Sequence, residues 1–448
     1  MKTSKIKSNF TLFILFFLLP LYIHAQDFDK KELSKKFILE GITIEGNSKT
    51  RQSVIFENLP FAEGDSASEA EILDAIDYLN ILKFFKEVTF SPRAGSEAGF
   101  LHLTIKVTER YWPMVRFKGG FSEMDSWYLT PISLHFDNIF GLGNFSNIDF
   151  TIGDRLTSLN YNYINPNIFR SGLDFHFQMA VRNHEFLHYI DDDRLKHNVP
   201  QGGFLLGFRS RDAYFRNFLF AYEAYATTPD TFATIGSSTK KFYNFPQQFD
   251  NAVGDTLRTA AMSIYYNWDR RDQISYPTSG WWTGFRFTQA DKQLGSDVSF
   301  SRIVIDGRYY QQIYKGLVTA LRLKYGYISP SAPFYEKFYL GGPNSLRGYA
   351  DRSLSPDGGG NQLYQSGLEF RFPITRNRFP NHFVTGVLFW DSGANLEKNQ
   401  NLDIDQIKSS FGFGFRFRIP FIGLLRLDMA YPINEGERQI HISLGHTF

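Results

Sequence analysis

Two short stretches of this chain carry residues spaced for chemistry. "HEFLH", His184 to His188, matches H-E-x-x-H, in which histidines one helical turn apart hold zinc and the glutamate works on a metal-bound water. "LGGPNSLRGY", residues 340–349, sets Arg347 among Gly, Pro, Asn and Ser. A guanidinium is a planar fork that grips a carboxylate with two hydrogen bonds at once. Its surroundings decide whether Arg347 is a solvated loop arginine or half of an ion pair. The glycine cluster "DGGGN", 357–361, lacks the strand-to-helix context of phosphate binding. Cysteine is absent, which removes thiol catalysis and a disulfide framework.

The elements around these residues decide what each can do. "HEFLH" directly follows the alternating stretch "DFHFQMAVR" and precedes "YIDDDRLKHNVP", leaving room for barely two helical turns. The expectation is an ordinary polar loop within 183–199, with surface metal binding beside Asp191–Asp193 the lesser alternative. Neither a catalytic residue nor a metal site is assigned. A Ser/His/Asp hydrolase site would need three converging groups, and no spacing demands one. Net charge is +2 with mixed signs, so nothing points to nucleic acid.

The N-terminus has Lys2, Lys5 and Lys7, then an apolar run from Phe10 to Ile23 broken by Pro20, and "IHA" ending at Ala25. This reads as a secretory signal, 1–25, followed by a short linker, 26–37. No later segment is long and apolar enough for a spanning helix. Residues 38–110 read as one small β-α-α-β-β unit. "ILEGITIEG" alternates Ile38, Ile42 and Ile44 and stops at "GNSKT", a turn that supplies N-cap candidates. "TRQSVIFENL" and the stronger "DSASEAEILDAIDYLNILKFF" have helical spacing, the latter capped by Ser66 or Ser68. "FKEVTFSPR" and "GFLHLTIKVTE" follow as an alternating pair.

From residue 111 to 448 helical periodicity vanishes and period-two segments recur. In "SFGFGFRFRIP", Phe411, Phe413, Phe415 and Phe417 share one face, and Gly412, Gly414, Arg416 and Arg418 the other. Aromatics make up 17% of the chain, and lipid outside a barrel gives them an outlet. About sixteen antiparallel strands are expected, an even number as a closed bacterial barrel requires. Connections after even-numbered strands are mostly short; 183–199, 228–255, 329–361 and 393–407 are long. Such alternation is what periplasmic turns and extracellular loops produce. Arg322, Lys324, Arg416, Arg418, Arg426 and Asp428 read as a hydrated luminal wall.

Here the chain resembles the outer-membrane assembly-factor and two-partner-secretion superfamily, the BamA/TamA-like barrels. The α+β unit, with "ILEGITIEGN" and "YLNILKFFKEVTF", is similar to a POTRA domain. "HFDNIFGLGNF" (135–145), "NWDRRDQISYPTSGWW" (267–282), "LGGPNSLRGY" and "VLFWDSGANL" (387–396) resemble family motifs and stand in the family's order.

The resemblance implies that 329–361 folds down inside the barrel and that Arg347 pairs with an acid on the wall. Strand phase offers two acids. If Trp390 faces lipid, Phe389, Asp391 and Gly393 face the lumen; if Phe370 and Phe372 face lipid, Glu369 and Arg371 face in. Gly348 would let the backbone turn beside the arginine, and Tyr349 would pack against the wall. The resemblance further implies assembly, insertion or translocation of other polypeptides at the bacterial outer membrane, with no bond made or broken and no cofactor. The POTRA-like sheet, in the periplasm, would capture unfolded or extended clients by strand addition. Outer-membrane lipids and accessory lipoproteins are the other implied partners. The first strand, "PMVRFKGGF", and the last, "QIHISLGHTF", would form a weak seam, eased by Gly119 and Gly120 or merely bent by them. The terminal Phe448 resembles a C-terminal insertion signal. A single POTRA-like unit suggests a specialised or accessory member. A passive or gated pore, and then an outer-membrane enzyme, are the competing functions.

Overall fold

The computed structural model describes residues 36–444 except 83, 112, 123–125, 154, 167, 169–170, 191–192, 211–216, 236–238, 243–252, 275, 376–382, 399, 420–422 and 434–435. The expected signal segment, most of the linker, Asp191 and Phe448 therefore lie outside the described residues. The chain divides into two compact units.

The first unit holds β1 (Lys36–Glu45), α1 (Gln52–Phe56), β2 (Ser66–Ser68), α2 (Glu69–Ile81), β3 (Phe85–Ala94) and β4 (Phe100–Glu109). The short β2 is an addition to the expected order and pairs with the start of β1. The sheet runs β2-β1-β4-β3, with β1 and β4 parallel. Ile42 lies opposite Leu103 and Ile44 opposite Ile105. All four are buried, as are Ile72, Ile76 and Leu79 on the apolar stripe of α2. Ile38 was expected in the same stripe as Ile42 but is exposed, and Leu39 is buried instead. The cause is a slip in pairing between Leu39 and Gly41, which moves side chains to the opposite face.

Ser68 caps α2 in a reciprocal box: the Glu71 amide donates to Ser68 Oγ at 3.2 Å, and the Ser68 amide to Glu71 Oε2 at 2.8 Å. The turn "GNSKT" does not cap α1, whose first cap residue is Arg51 and makes no side-chain bond. It encloses Glu109 instead. Ser48 Oγ and Thr50 Oγ1 donate at 2.7 Å, the Lys49 amide at 2.9 Å and the Thr50 amide at 2.5 Å. Burial alone would push the Glu109 carboxyl up; these donors together hold it below the usual carboxylate range.

The second unit is a closed barrel. Its strands are β5 (Met114–Ser122), β6 (Ser126–His135), β7 (Phe145–Gly153), β8 (Leu156–Asn165), β9 (Leu173–Ile190), β10 (Asp193–Ser210), β11 (Phe218–Thr227), β12 (Phe232–Ile235) and β13 (Thr239–Phe242). They continue as β14 (Leu257–Asp269), β15 (Gly280–Ala290), β16 (Phe300–Tyr314), β17 (Leu317–Ile328), β18 (Gln362–Pro373), β19 (Val384–Leu396), β20 (Lys408–Ile419), β21 (Gly423–Pro432) and β22 (Gln439–Leu444). Neighbours pair antiparallel, and β22 closes against β5. β12 and β13 form a hairpin off β10 while β11 pairs directly with β14, so among the described residues sixteen strands build the wall. The period-two pattern is realised along β19, where Trp390 is 48% exposed and Asp391 only 2%. On β20, Phe411 and Phe413 point out while Gly412 and Gly414 are buried.

Residues 183–199 are not the expected loop. β9 and β10 run on past the wall as a ribbon, paired from His184–Val199 to Ile190–Asp193, with β12 added along β10 at Leu195 and Lys196. "HEFLH" is therefore strand. Positions i and i+4 of a strand lie about 13 Å apart on one face, too far to share a metal ion. Glu185 is engaged by Lys196 at 2.8 Å and Arg155 at 3.6 Å.

Candidate functional site

Segment 329–361, between β17 and β18, forms a tongue. Its neck is closed by the Ile328 amide donating to the Asn361 carbonyl at 2.9 Å and Asn361 Nδ2 to the Ile328 carbonyl at 3.1 Å. Reciprocal bonds between Phe338 and Gly360, 3.1 and 2.9 Å, hold its two limbs together. The tongue is not solvated. Phe338, Leu340 and Leu346 are buried with Ala261, Ala290, Phe300 and Leu363 of the wall in one apolar cluster. Burial of such side chains contributes about 1.5–3 kcal/mol each, which offsets the cost of ordering the loop.

At the tip, Arg347 is fully buried. Its Nε and Nη2 donate to the two oxygens of Asp391 at 2.6 and 2.8 Å, and its Nη1 to Glu369 Oε1 at 2.7 Å. The guanidinium carbon stands 3.5 Å from the centre of the Phe389 ring. Gly348 has φ +91°, and a Cβ there would meet Ser410 Cβ at 2.9 Å. Its amide donates to His441 Nε2 at 3.1 Å, while Ser410 Oγ donates to the Arg347 carbonyl. Tyr349 Oη donates to the Ser409 carbonyl at 3.2 Å. A Cβ at Gly393 would meet the Tyr364 carbonyl at 2.8 Å and Leu340 at 3.2 Å, so the bare position lets the tongue lie against β19. Gly119 and Gly120 sit on β5 opposite Leu129 and Tyr128 of β6.

The hydrated-wall expectation is overturned for four of its six residues; Lys324 and Arg418 are only half-buried. Arg322, Arg416, Arg426 and Asp428 are all at most 7% exposed. Arg322 pairs with Asp306 at 2.8 Å. Arg416 Nη1 donates to Asp428 Oδ1 at 2.5 Å, and Arg426 Nη2 to the tongue's Pro343 carbonyl at 2.7 Å. Arg371 Nε donates to Glu369 Oε2 at 2.9 Å, and Arg347 lies 3.8 Å from Asp428. Arg347 thus enters a buried cluster of four arginines and three carboxylates. Desolvating such charges costs several kcal/mol per ion, and only dense mutual bonding offsets it. Strand phase turned Arg371 inward beside Glu369 but gave it no partner; His441 went unassigned, its one signal being its place opposite Asp428.

Two further anchors hold the tongue. Glu336 accepts from Arg302 at 3.1 Å and from Tyr225 Oη at 2.9 Å. Arg352 donates to the Leu187 carbonyl at 3.1 Å and stacks 4.1 Å over Phe186 on the β9–β10 ribbon. At the opposite end, Tyr276 of the β14–β15 turn is buried and donates to Thr385 Oγ1 on β19 at 3.1 Å.

Comparison with known proteins gives this architecture a family. Residues 138–448 match the Omp85 superfamily domain, and residues 37–110 match the surface antigen variable number repeat of POTRA type. The outer membrane protein assembly factor BamA of Nitratidesulfovibrio vulgaris is 24% identical over 424 residues, covering 90% of this chain and 49% of that protein. A putative outer membrane protein assembly factor of Treponema pallidum is 25% identical over 277 residues, 56% of this chain and 33% of the relative. The chain thus spans half or less of the length of these relatives. BamA from Haemophilus ducreyi lacking POTRA domains 1–3 superposes with a TM-score of 0.71 at 19% identity, covering 91% of this chain and 84% of that structure. CdiB from Escherichia coli superposes at 0.57 with 12% identity, over 92% and 76%. With a family match over most of its length and the barrel and POTRA unit both in place, this chain belongs to the Omp85 superfamily, an outer-membrane barrel with its N-terminal domain in the periplasm.

Proposed function

We propose that the chain handles other polypeptides at the outer membrane, in their assembly, insertion or translocation. The observation that carries this is the tongue. A pore built only to conduct has no need of a plug held by apolar packing, two polar anchors and a buried arginine. The Arg347–Asp391–Glu369 contact is the latch of that plug, with Gly348 and Tyr349 shaping its tip and Phe389 and Gly393 its seat. The relatives named as assembly factors support the same reading.

In this scheme the edge of the periplasmic sheet takes extended client segments by strand addition, where backbone bonds tolerate many sequences. β3 is an edge strand and β2 covers only three residues of the other side. The β5–β22 seam, with Gly119 and Gly120 on its first strand and the segment ending at Phe448 on its last, is where the barrel yields. Membrane lipids bathe the aromatic exterior, and accessory lipoproteins dock on the periplasmic unit. Depletion followed by quantitative outer-membrane proteomics tests this. Loss of one protein indicates dedicated secretion and broad loss general assembly. An unchanged proteome, with conductance persisting after deletion of 329–361, would support the gated pore.

A further inference from the structure

The lumen face of β8–β11 and β14 differs in kind from the wall that latches the tongue. Register sets Asn162 opposite Gln178 and Ile164 opposite His176, Gln178 opposite Leu205, and Leu219 opposite Tyr265. Directly opposed residues share a face. They line a cavity of about 230 Å³ near the end of the barrel where β8 turns into β9. His176 is 9% exposed, and its Nε2 has no hydrogen-bond partner among the described residues. Buried polar atoms are nearly always bonded, so an orphaned imidazole nitrogen facing a cavity marks a place for a ligand group.

The lining itself is neutral. Glu223 behind it is taken by Arg286 at 3.2 Å and by Tyr265 Oη. The same chemistry continues along β6–β8, where Thr130 bonds Thr151 at 3.0 Å and Asn160 bonds Ser158 at 3.1 Å. We propose that this strip binds the backbone of an extended, uncharged polypeptide segment inside the lumen. The proposal rests on the polypeptide-handling reading and adds where, and by which groups, a client is held.

An extended chain presents one N–H and one C=O per residue. Carboxamides such as Asn162 and Gln178 both donate and accept, so they match a backbone whatever its side chains. Ile164, Leu205 and Leu219 supply apolar contact for small side chains. A sugar would want an open aromatic face. Of the three aromatics at the cavity, Tyr265 has its ring covered by the Arg286 guanidinium 4.8 Å away. Tyr163 and Phe177 alternate with Asn162 and Gln178 and so stand on the opposite face of their strands.

The chain has no cysteine, so Gln178→Cys places a single thiol in the cavity. Maleimide labelling is timed on the full-length barrel with a capped peptide of alternating Val and Thr, about ten residues long, the span of one strand. The peptide should slow labelling about tenfold, and maltohexaose at the same concentration should not. His176→Leu should abolish protection and His176→Asn, which keeps a neutral donor and acceptor, should retain it. Heat-modifiable gel mobility shows that each barrel is folded, and His176→Phe, which also lacks a polar atom and should lose protection, replaces the leucine variant if that one is not. An unprotected thiol, equal protection by the sugar, or protection indifferent to His176 overturns the site. Client loss on depletion with an unprotected thiol would sink the lumen site alone and leave protein handling standing.

Discussion

Arg347 and Asp391 meet through two parallel hydrogen bonds of 2.6 and 2.8 Å, while the third guanidinium nitrogen reaches Glu369 at 2.7 Å. Every element of that contact is buried, and the arginine arrives from a loop while both acids stand on adjacent wall strands. Four arginines share three carboxylates in this cluster, so its acids are the scarcer partners.

That imbalance orders two single variants. Asp391→Ala leaves four cations against two anions, whereas Arg347→Ala leaves three of each. Removing one member of a buried pair costs about 3–5 kcal/mol, and Asp391→Ala should fall at the upper end with Arg347→Ala below it. The temperature at which the folded gel band disappears orders them. Equal or reversed losses would show that the cluster does not act as one charge system.

The charge swap Arg347→Asp with Asp391→Arg should not restore wild-type behaviour. It sets a new carboxylate where Glu369 already stands within 2.7 Å of the original guanidinium. Full rescue in outer-membrane proteome or heat stability would mean that a simple two-residue pair suffices.

Gly348→Ala should release the tip. The residue's φ of +91° disfavours any Cβ by about 1 kcal/mol, and Ser410 blocks the space besides. Amide exchange should rise at 345–350 while the wall strands keep their protection. Unchanged exchange at the tip would contradict a tight turn there.

Acid should weaken the periplasmic unit through Glu109. Its folded pKa lies below the ordinary glutamate value of 4.5, so its stabilisation is complete above that value and is lost as pH falls through the lower folded one. Glu109→Gln should flatten this part of the acid unfolding curve, followed by exchange in β1 and α1. A variant that keeps the wild-type slope would assign the acid sensitivity elsewhere.

Arg352→Ala should loosen the β9–β10 ribbon, since it removes both the bond to Leu187 and a stacked cation worth about 1 kcal/mol over Phe186. Faster exchange at 185–199, with the wall below unaffected, is the expected result.

The alternation of Trp390 with Phe389 and Asp391 was legible because a strand's period fixes its faces. So were the approximate strand number and, as one of two candidates with Ser66, the helix cap at Ser68. What period two does not fix is height along the barrel. Arg416, Arg426 and Asp428 therefore looked like separate hydrated charges when they stand at one level, joined by the tongue. Ile38 misled because one extra residue, Glu40, between the paired Leu39 and Gly41 reverses a face without altering composition. "HEFLH" misled because polar residues at the tip of a long ribbon carry the composition of a loop. Tyr276, buried against Thr385, had no periodic signal at all.

The bond from the Gly348 amide to His441 ties the tongue tip to β22, the strand that meets β5. A stave fastened to its own stopper cannot slide along its neighbour without tugging the stopper. Parting that joint and withdrawing the tip are thus one mechanical event.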